Sequence, residues 1–176
     1  MGWIKDFFRQ RKSDRLGDIA NRLKYDRKFA EAAKAYAAQA DFDLPDNELI
    51  FSTECRYAFE MWMKAGDAAN ALAQARRALH GYTLGDWLKG NHNYIDNLTQ
   101  MVVALRRADH LDEADSLLLD INDYLTSIGE LPAVVAEFGN EPRFPAECPS
   151  CGGSIKYRGS RAVTTCPYCS GAVNAL

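Results

Sequence analysis

FAEAAKAY, residues 29–36, sets an aromatic residue at Phe29, a small alanine at Ala32 and a second aromatic at Tyr36. Steps of three and four place these on one face of an α-helix. The same order returns in AANALAQA, with Ala68, Ala71 and Ala75, and in LDEADSLL, with Leu111, Ala114 and Leu118. Around these stretches, residues 14–128 read as helix nearly throughout. Alanine is abundant and the single proline in the span is Pro45. The breaks fall at Tyr25–Lys28, at Asp43–Asn47, at Ala65-Gly66-Asp67, from Gly81 to Gly90 and at Ala108-Asp109-His110, with Gly129 closing the sixth helix as a C′ glycine.

Six helices so divided pair into three hairpins. The first members carry Leu16, Ile19, Ala20 and Leu23, then Cys55, Ala58, Phe59 and Trp62, then Leu98, Met101, Val102 and Leu105. The small alanine in each second member lets two antiparallel helices approach closely. This pattern resembles the tetratricopeptide repeat, over residues 14–128. The repeat-defining alanines stand 39 and then 43 residues apart, against the family's usual spacing of about 34. The implied fold class is mainly α, with antiparallel hairpins forming a short tetratricopeptide-like solenoid.

After Gly129 the texture changes. Pro132, Pro142, Pro145 and Pro149 follow in quick succession. Residues 132–138 suit one short capping helix with proline at its first position, and the stretch from Asn140 to Glu147 suits an extended linker. The expected order is a basic amphipathic segment at 1–13, a helical repeat domain at 14–139, a linker at 140–147 and a small C-terminal domain at 148–176.

That last domain contains CPSC at Cys148–Cys151 and CPYC at Cys166–Cys169, with 14 residues between the pairs. Residues 154–157 and 161–165 alternate well enough for two strands, with Arg158-Gly159-Ser160 as the turn. The segment resembles the zinc ribbon family in its Cys-Pro-x-Cys form. The resemblance implies one Zn2+ per chain on Cys148, Cys151, Cys166 and Cys169, with rubredoxin-type iron as the second choice. Four thiolates close the tetrahedral shell and leave no position for water or substrate. A glycine after the second cysteine suits a knuckle, because the backbone there needs a positive φ. Gly152 meets this need, whereas the second knuckle has Ser170 there and Gly171 one place later.

Charge divides the chain. Residues 1–12 carry a net +3 and residues 141–176 a net +2, while 13–140 carry −8. An acidic body is unsuited to lie along a phosphate backbone. Nucleic-acid binding therefore falls to the ribbon tip, where Lys156, Tyr157, Arg158 and Arg161 can contact phosphates and a base, or instead an acidic protein surface. At the other end Trp3, Ile4, Phe7 and Phe8 form an apolar stripe on a helix. It suits a cap on the protein's own first hairpin, or an anchor for a partner groove or a membrane surface, aided by Arg9, Arg11 and Lys12. The opening residues lack the apolar core of a signal peptide, and a cytoplasmic setting is expected, in which paired cysteines are ligands rather than disulfides.

Nothing in the sequence announces catalysis. There is no Gly-rich phosphate loop, nucleophile elbow or His-Glu-x-x-His motif. His80, His92 and His110 have no ligand-like spacing, and Cys55 suits a buried apolar position. The run His80–Tyr94 holds Tyr82, Trp87 and Tyr94, which fit a plug between hairpins or the lining of a peptide pocket. The tetratricopeptide resemblance implies a peptide-binding face on the first helix of each pair, including Asn21, Lys24, Arg56, Glu60, Thr99 and Arg106. Lys24, Arg56 and Arg106 suit an acidic or carboxylate-ended ligand. The expected function is a non-enzymatic adaptor or regulator whose partner is another protein or peptide, the alternative being a nucleic-acid-associated factor.

Overall fold

The computed structural model describes residues 2–43, 47–84, 92–133, 145–155 and 163–174, with side chains from residue 11 in the first helix and from residue 94 in the fifth. The described elements are α1 (Gly2–Tyr25), α2 (Phe29–Asp43), α3 (Glu48–Ala65), α4 (Ala68–Leu84), α5 (His92–Arg107), α6 (Leu111–Ser127), β1 (Val163–Thr165) and β2 (Ala172–Asn174). The protein is mainly helical, with one small antiparallel pair of strands near its C-terminus. Two compact units divide it, Met1–Lys89 with α1–α4 and Gly90–Leu176 with the remaining elements.

Each of the three helical hairpins reverses by the same backbone device. One residue adopts a left-handed φ: Arg27 at 57°, Gly66 at 76° and Asp109 at 64°. The next N–H, of Lys28, Asp67 or His110, donates back to the carbonyl of Leu23, Trp62 or Leu105 at 2.9–3.0 Å. This Schellman closure satisfies carbonyls that the helix end would otherwise leave bare. The following helix starts at once. Its first intrahelical donors are the N–H groups of Ala32, Ala71 and Ala114, which bond the carbonyls of Lys28, Asp67 and His110. All three alanines are fully buried. The repeating grammar of the sequence is therefore a repeating geometry. Gly129, with φ 77°, ends α6 in the same way.

In the first unit α1 packs on α2, α2 on α3 and α3 on α4. The α1–α2 pairing is antiparallel. Ser13 Oγ donates to the Asp43 carboxylate at 3.0 Å at one end, and Tyr36 Oη donates to Asn21 Oδ1 at 2.8 Å nearer the turn. Helix α1 runs unbroken through residues 13 and 14. The core mixes small and large side chains: Ala32, Ala33, Ala40, Ala58, Ala71 and Ala75 against Phe51, Phe59, Met61, Trp62 and Tyr82. Cys55 is fully buried among them, and burial pushes its thiol up to about 12.

Gly81 departs from its expected role. It stands inside α4, which continues to Leu84 instead of breaking at this glycine. The reason lies across the interface. A Cβ at Gly81 would overlap Ser52 Oγ and the Phe51 ring. Ser52 itself donates to the Ala78 carbonyl at 3.1 Å. The glycine thus serves helix–helix contact, at a cost in helix propensity of about 1 kcal/mol relative to alanine. The short capping helix expected from Pro132 is not seen at 131–133, which are non-helical. Ala133 N–H there donates to Asn122 Oδ1 at 2.7 Å, and residues 134–138 lie outside the described residues.

Two predictions follow from this packing. Gly81→Ala should destabilise the helical unit by about 1–3 kcal/mol, the usual range for overpacking, measured as a lower midpoint in chemical denaturation. The second concerns Glu54, which has a buried oxygen without a hydrogen-bond partner. Burial first, and then the nearby Asp43 carboxylate, raise its carboxyl to about 7 from an ordinary 4.5, against a lowering influence of Arg56. The folded protein therefore binds more protons than the unfolded chain between these values, and Glu54 makes stability fall as pH rises through that window. Glu54→Gln should remove this fall. Thermal melts should show the variant gaining on wild type at pH 8 relative to pH 5.

Candidate metal centre

Each Cys-x-x-Cys pair is the tip of a tight reversal, and the two tips share one geometry. In the first, Cys148 N–H donates to the Gly153 carbonyl at 2.8 Å and Gly152 N–H donates to the Cys148 carbonyl at 2.8 Å. In the second, Cys166 N–H donates to Gly171 at 2.8 Å and Ser170 N–H to Cys166 at 2.9 Å. The left-handed position expected from the sequence is real in both: Gly152 has φ 71° and Ser170 has φ 57°. Serine thus takes the conformation that glycine takes in the first knuckle.

The strands flank the knuckles. Glu147 bridges Ser154 across the first, and Ile155 N–H reaches the Ala146 carbonyl. Across the second, β1 pairs with β2 in the register Thr165 to Ala172, Thr164 to Val173 and Val163 to Asn174. Of the expected hairpin, 154–157 against 161–165, residues 163–165 do form a strand and the turn at 158–160 lies outside the described residues; the described pairings are those closed by the cysteine turns. Strand β2 was missed because its three residues, Ala172-Val173-Asn174, are too few to show an alternation and bury only Val173. Residues 156–162, which include Lys156, Tyr157, Arg158 and Arg161, lie outside the described residues.

The knuckles bring their sulfurs together. Cys148 Sγ lies 3.8 Å from Cys169 Sγ, and Cys151 Sγ lies 3.6 Å from Cys166 Sγ. All four are within 4.8 Å of one another. These separations are far too long for a disulfide, and all four cysteines are free. They are close to the edge of about 3.8 Å that a tetrahedron acquires from zinc–sulfur bonds of about 2.3 Å. Four such donors can hold a metal ion, and both their chemistry and their spacing are compatible with zinc.

The surrounding backbone prepares the sulfurs for a cation. The N–H of Ser150, followed by that of Cys151, helps hold the Cys148 thiol down at about 6. The matching N–H in the second knuckle, that of Tyr168, donates to Cys166 Sγ at 3.4 Å. At Cys151 the Gly153 N–H favours the thiolate, but the neighbouring sulfurs outweigh it and push the thiol up to about 12. Four adjacent sulfurs cannot all ionise without a compensating positive charge, which a bound dication supplies.

Among the described residues a very small core lies beneath the sulfurs: Cys148, Cys166 and Val173 are buried, with Ile155 packed against them. The Tyr168 ring lies across the backbone of Gly153, where a Cβ would overlap it, and so presses one knuckle on the other. The sequence gives no sign of this contact beyond a glycine in one knuckle and an aromatic residue in the other.

The remaining candidate residues are scattered. Asn21, Tyr36, Tyr57 and Arg56 form a chain of contacts over α1–α3: the Tyr36 and Tyr57 rings are 5.4 Å apart, and the Arg56 guanidinium lies 4.9 Å from the Tyr57 ring centre. Arg56 also pairs with Glu60 at 3.1 Å. Lys24 is half-buried on α1. Arg106 belongs to the second unit and pairs with Asp115 at 2.9 Å. Thr99 departs from the implied binding face. It is fully buried and donates to the Asp96 carbonyl at 3.0 Å, so no ligand reaches it. Tyr82 is buried and Tyr94 half-buried, while Trp87 lies outside the described residues, as do the side chains of Trp3, Ile4, Phe7 and Phe8. Among the described residues no helix is long and apolar enough to cross a membrane.

Mainly helical hairpins followed by a four-cysteine cluster define the chain. Compared with protein-family models, curated proteins and solved structures, it matches none.

At the left-handed position the two knuckles differ, Gly152 against Ser170, which suggests a direct measurement. Ser170→Gly should relieve a left-handed non-glycine residue, a cost of about 1 kcal/mol. It should tighten metal binding severalfold in a chelator competition. Gly152→Ala, at the matching position, should weaken it.

Proposed function

We propose that Cys148, Cys151, Cys166 and Cys169 hold one Zn2+ per chain and that residues 148–176 are a zinc ribbon. The observation that carries this reading is the cross-knuckle pairing of all four sulfurs at 3.6–3.8 Å. Cysteine alone supplies the donors, so the shell is closed and the metal is structural. Iron fits the same ligands less well by availability. Among the described residues the core is Cys148, Cys166 and Val173, too little by itself to hold so small a domain, and a metal contributing on the order of 10 kcal/mol supplies what is lacking.

The protein as a whole then reads as a non-enzymatic adaptor or regulator. Its three hairpins, closed alike and packed through buried alanines, support a tetratricopeptide-like scaffold. Tyr57 and Arg56, held over buried Tyr36, with Lys24 on α1, offer aromatic and cationic groups to an acidic peptide. Cation–π and charge contacts of this kind are common at protein interfaces.

Elemental analysis of protein from native cells should find zinc near one equivalent, and a red, iron-loaded protein would replace this assignment. Chelation should unfold the ribbon while leaving most helical circular dichroism, because the ribbon's buried cluster contains no helical residue. Loss of all helix together would overturn the structural separation. Partner capture should be lost on Lys24→Glu with Arg56→Glu and survive chelation. The reverse pattern, with salt-sensitive nucleic-acid binding lost on changing Lys156, Arg158 and Arg161 to Ala, would favour the nucleic-acid alternative.

A further inference from the structure

We propose that the outward face of α1 in one copy docks on the outward face of α6 in a second copy of this chain. The first and last of the described helices carry opposite charge. Helix α1 has seven basic residues against three acidic, while α6 has five acidic and no basic residue. The charges are also ordered. Along α1 the exposed line runs Arg11, Arg15, Ile19, Arg22. Along α6 it runs Asp112, Asp115, Leu119, Asp123. Both lines span eleven residue steps, about 16.5 Å of helix.

Laid parallel, the two lines match member for member. Arg11 meets Asp112, Arg15 meets Asp115, Ile19 meets Leu119 and Arg22 meets Asp123, each offset by no more than one residue, about 1.5 Å along the axis. The apolar members are open to solvent, Ile19 at 43% and Leu119 at 61%. Tyr25 at 84% and Leu111 at 53% extend the apolar area at the ends. An apolar contact flanked by complementary charges is the usual build of a specific interface. Asp14 and Asp18 border one edge of the basic line, and Arg106 already holds Asp115. Asp112 and Asp123 are therefore the acids on which the pairing turns.

A second copy is the occupant because one chain supplies both halves of the match. The two helices lie in different compact units, so pairing inside a single chain is the competing outcome. The contact joins two different faces, so it continues from copy to copy or closes where the rotation allows. It does not depend on the metal.

Sedimentation velocity on the full chain, over a concentration series at low and high salt, tests this. Mass should rise with concentration at low salt and return to that of a monomer at high salt, as screening requires. Arg15→Glu with Arg22→Glu, and separately Asp112→Lys with Asp123→Lys, should each weaken self-association at least about tenfold with helical circular dichroism unchanged. Mixing the two variants in equal parts should restore assembly, because each then offers the face that the other lacks. If a reversal disturbs folding, the neutral changes Arg15→Gln with Arg22→Gln should still flatten the salt dependence. Wild type that stays monomeric throughout would overturn the proposal. So would assembly indifferent to both reversals, or a concentration-independent change in sedimentation coefficient, which marks pairing within one chain.

Discussion

One hydrogen bond, made at each of the three hairpin turns, organises the helical part of the protein. The N–H groups of Lys28, Asp67 and His110 reach back five residues to Leu23, Trp62 and Leu105. The bond can form only if the intervening residue is left-handed. It turns the chain with the least backbone and starts the next helix immediately. A reversal that short forces the two helices into contact near the turn. The residue one turn into the second helix must therefore be small, and Ala32, Ala71 and Ala114 fill that place, fully buried. Larger residues further from the turn, such as Tyr36, Phe59 and Leu117, then close the widening gap.

The cysteine segment obeys a similar constraint at smaller scale. Each knuckle is closed by its own backbone bonds, so the four sulfurs are delivered as two preformed pairs. What remains is to bring the pairs face to face. Tyr168 over Gly153, and Val173 beneath Cys148 and Cys166, contribute the contacts that do so. Among the described residues these contacts are few, and the four sulfurs they gather could hold a metal ion. In the helical units stability comes from apolar burial, whereas four clustered thiols are a set that a bound cation would stabilise.

Local signals in the sequence found both devices and missed their surroundings. The turns at 25–28, 65–67 and 108–110 were legible because each ends a periodic apolar run. The clustering of the four cysteines was legible because cysteines at that spacing have few other uses. Gly81 was misread, because a glycine carries the same local message in a helix break and in a tight helix contact. Ser52 and Phe51, on the facing helix, decide between them. The β2 partner of β1 was missed for a related reason. Alternation at 154–157 is a local property, while the pairing of Val163–Thr165 with Ala172–Asn174 depends on where the second knuckle returns the chain.

By itself, the sequence determined which residues turn, which lie on the buried face of a helix and which cysteines can serve a metal. Those properties depend on a residue and its neighbours within about one turn of helix. Tertiary structure alone decided that Thr99 is buried and cannot face a ligand, and that Glu54 keeps an unpaired oxygen inside the fold. It also decided that Arg15 and Arg22 stand on the open side of α1, and Asp112 and Asp123 on the open side of α6. Burial is a relation between segments far apart in the chain. A polar side chain becomes buried, paired or free to meet a partner only when another helix takes, or leaves, the place beside it.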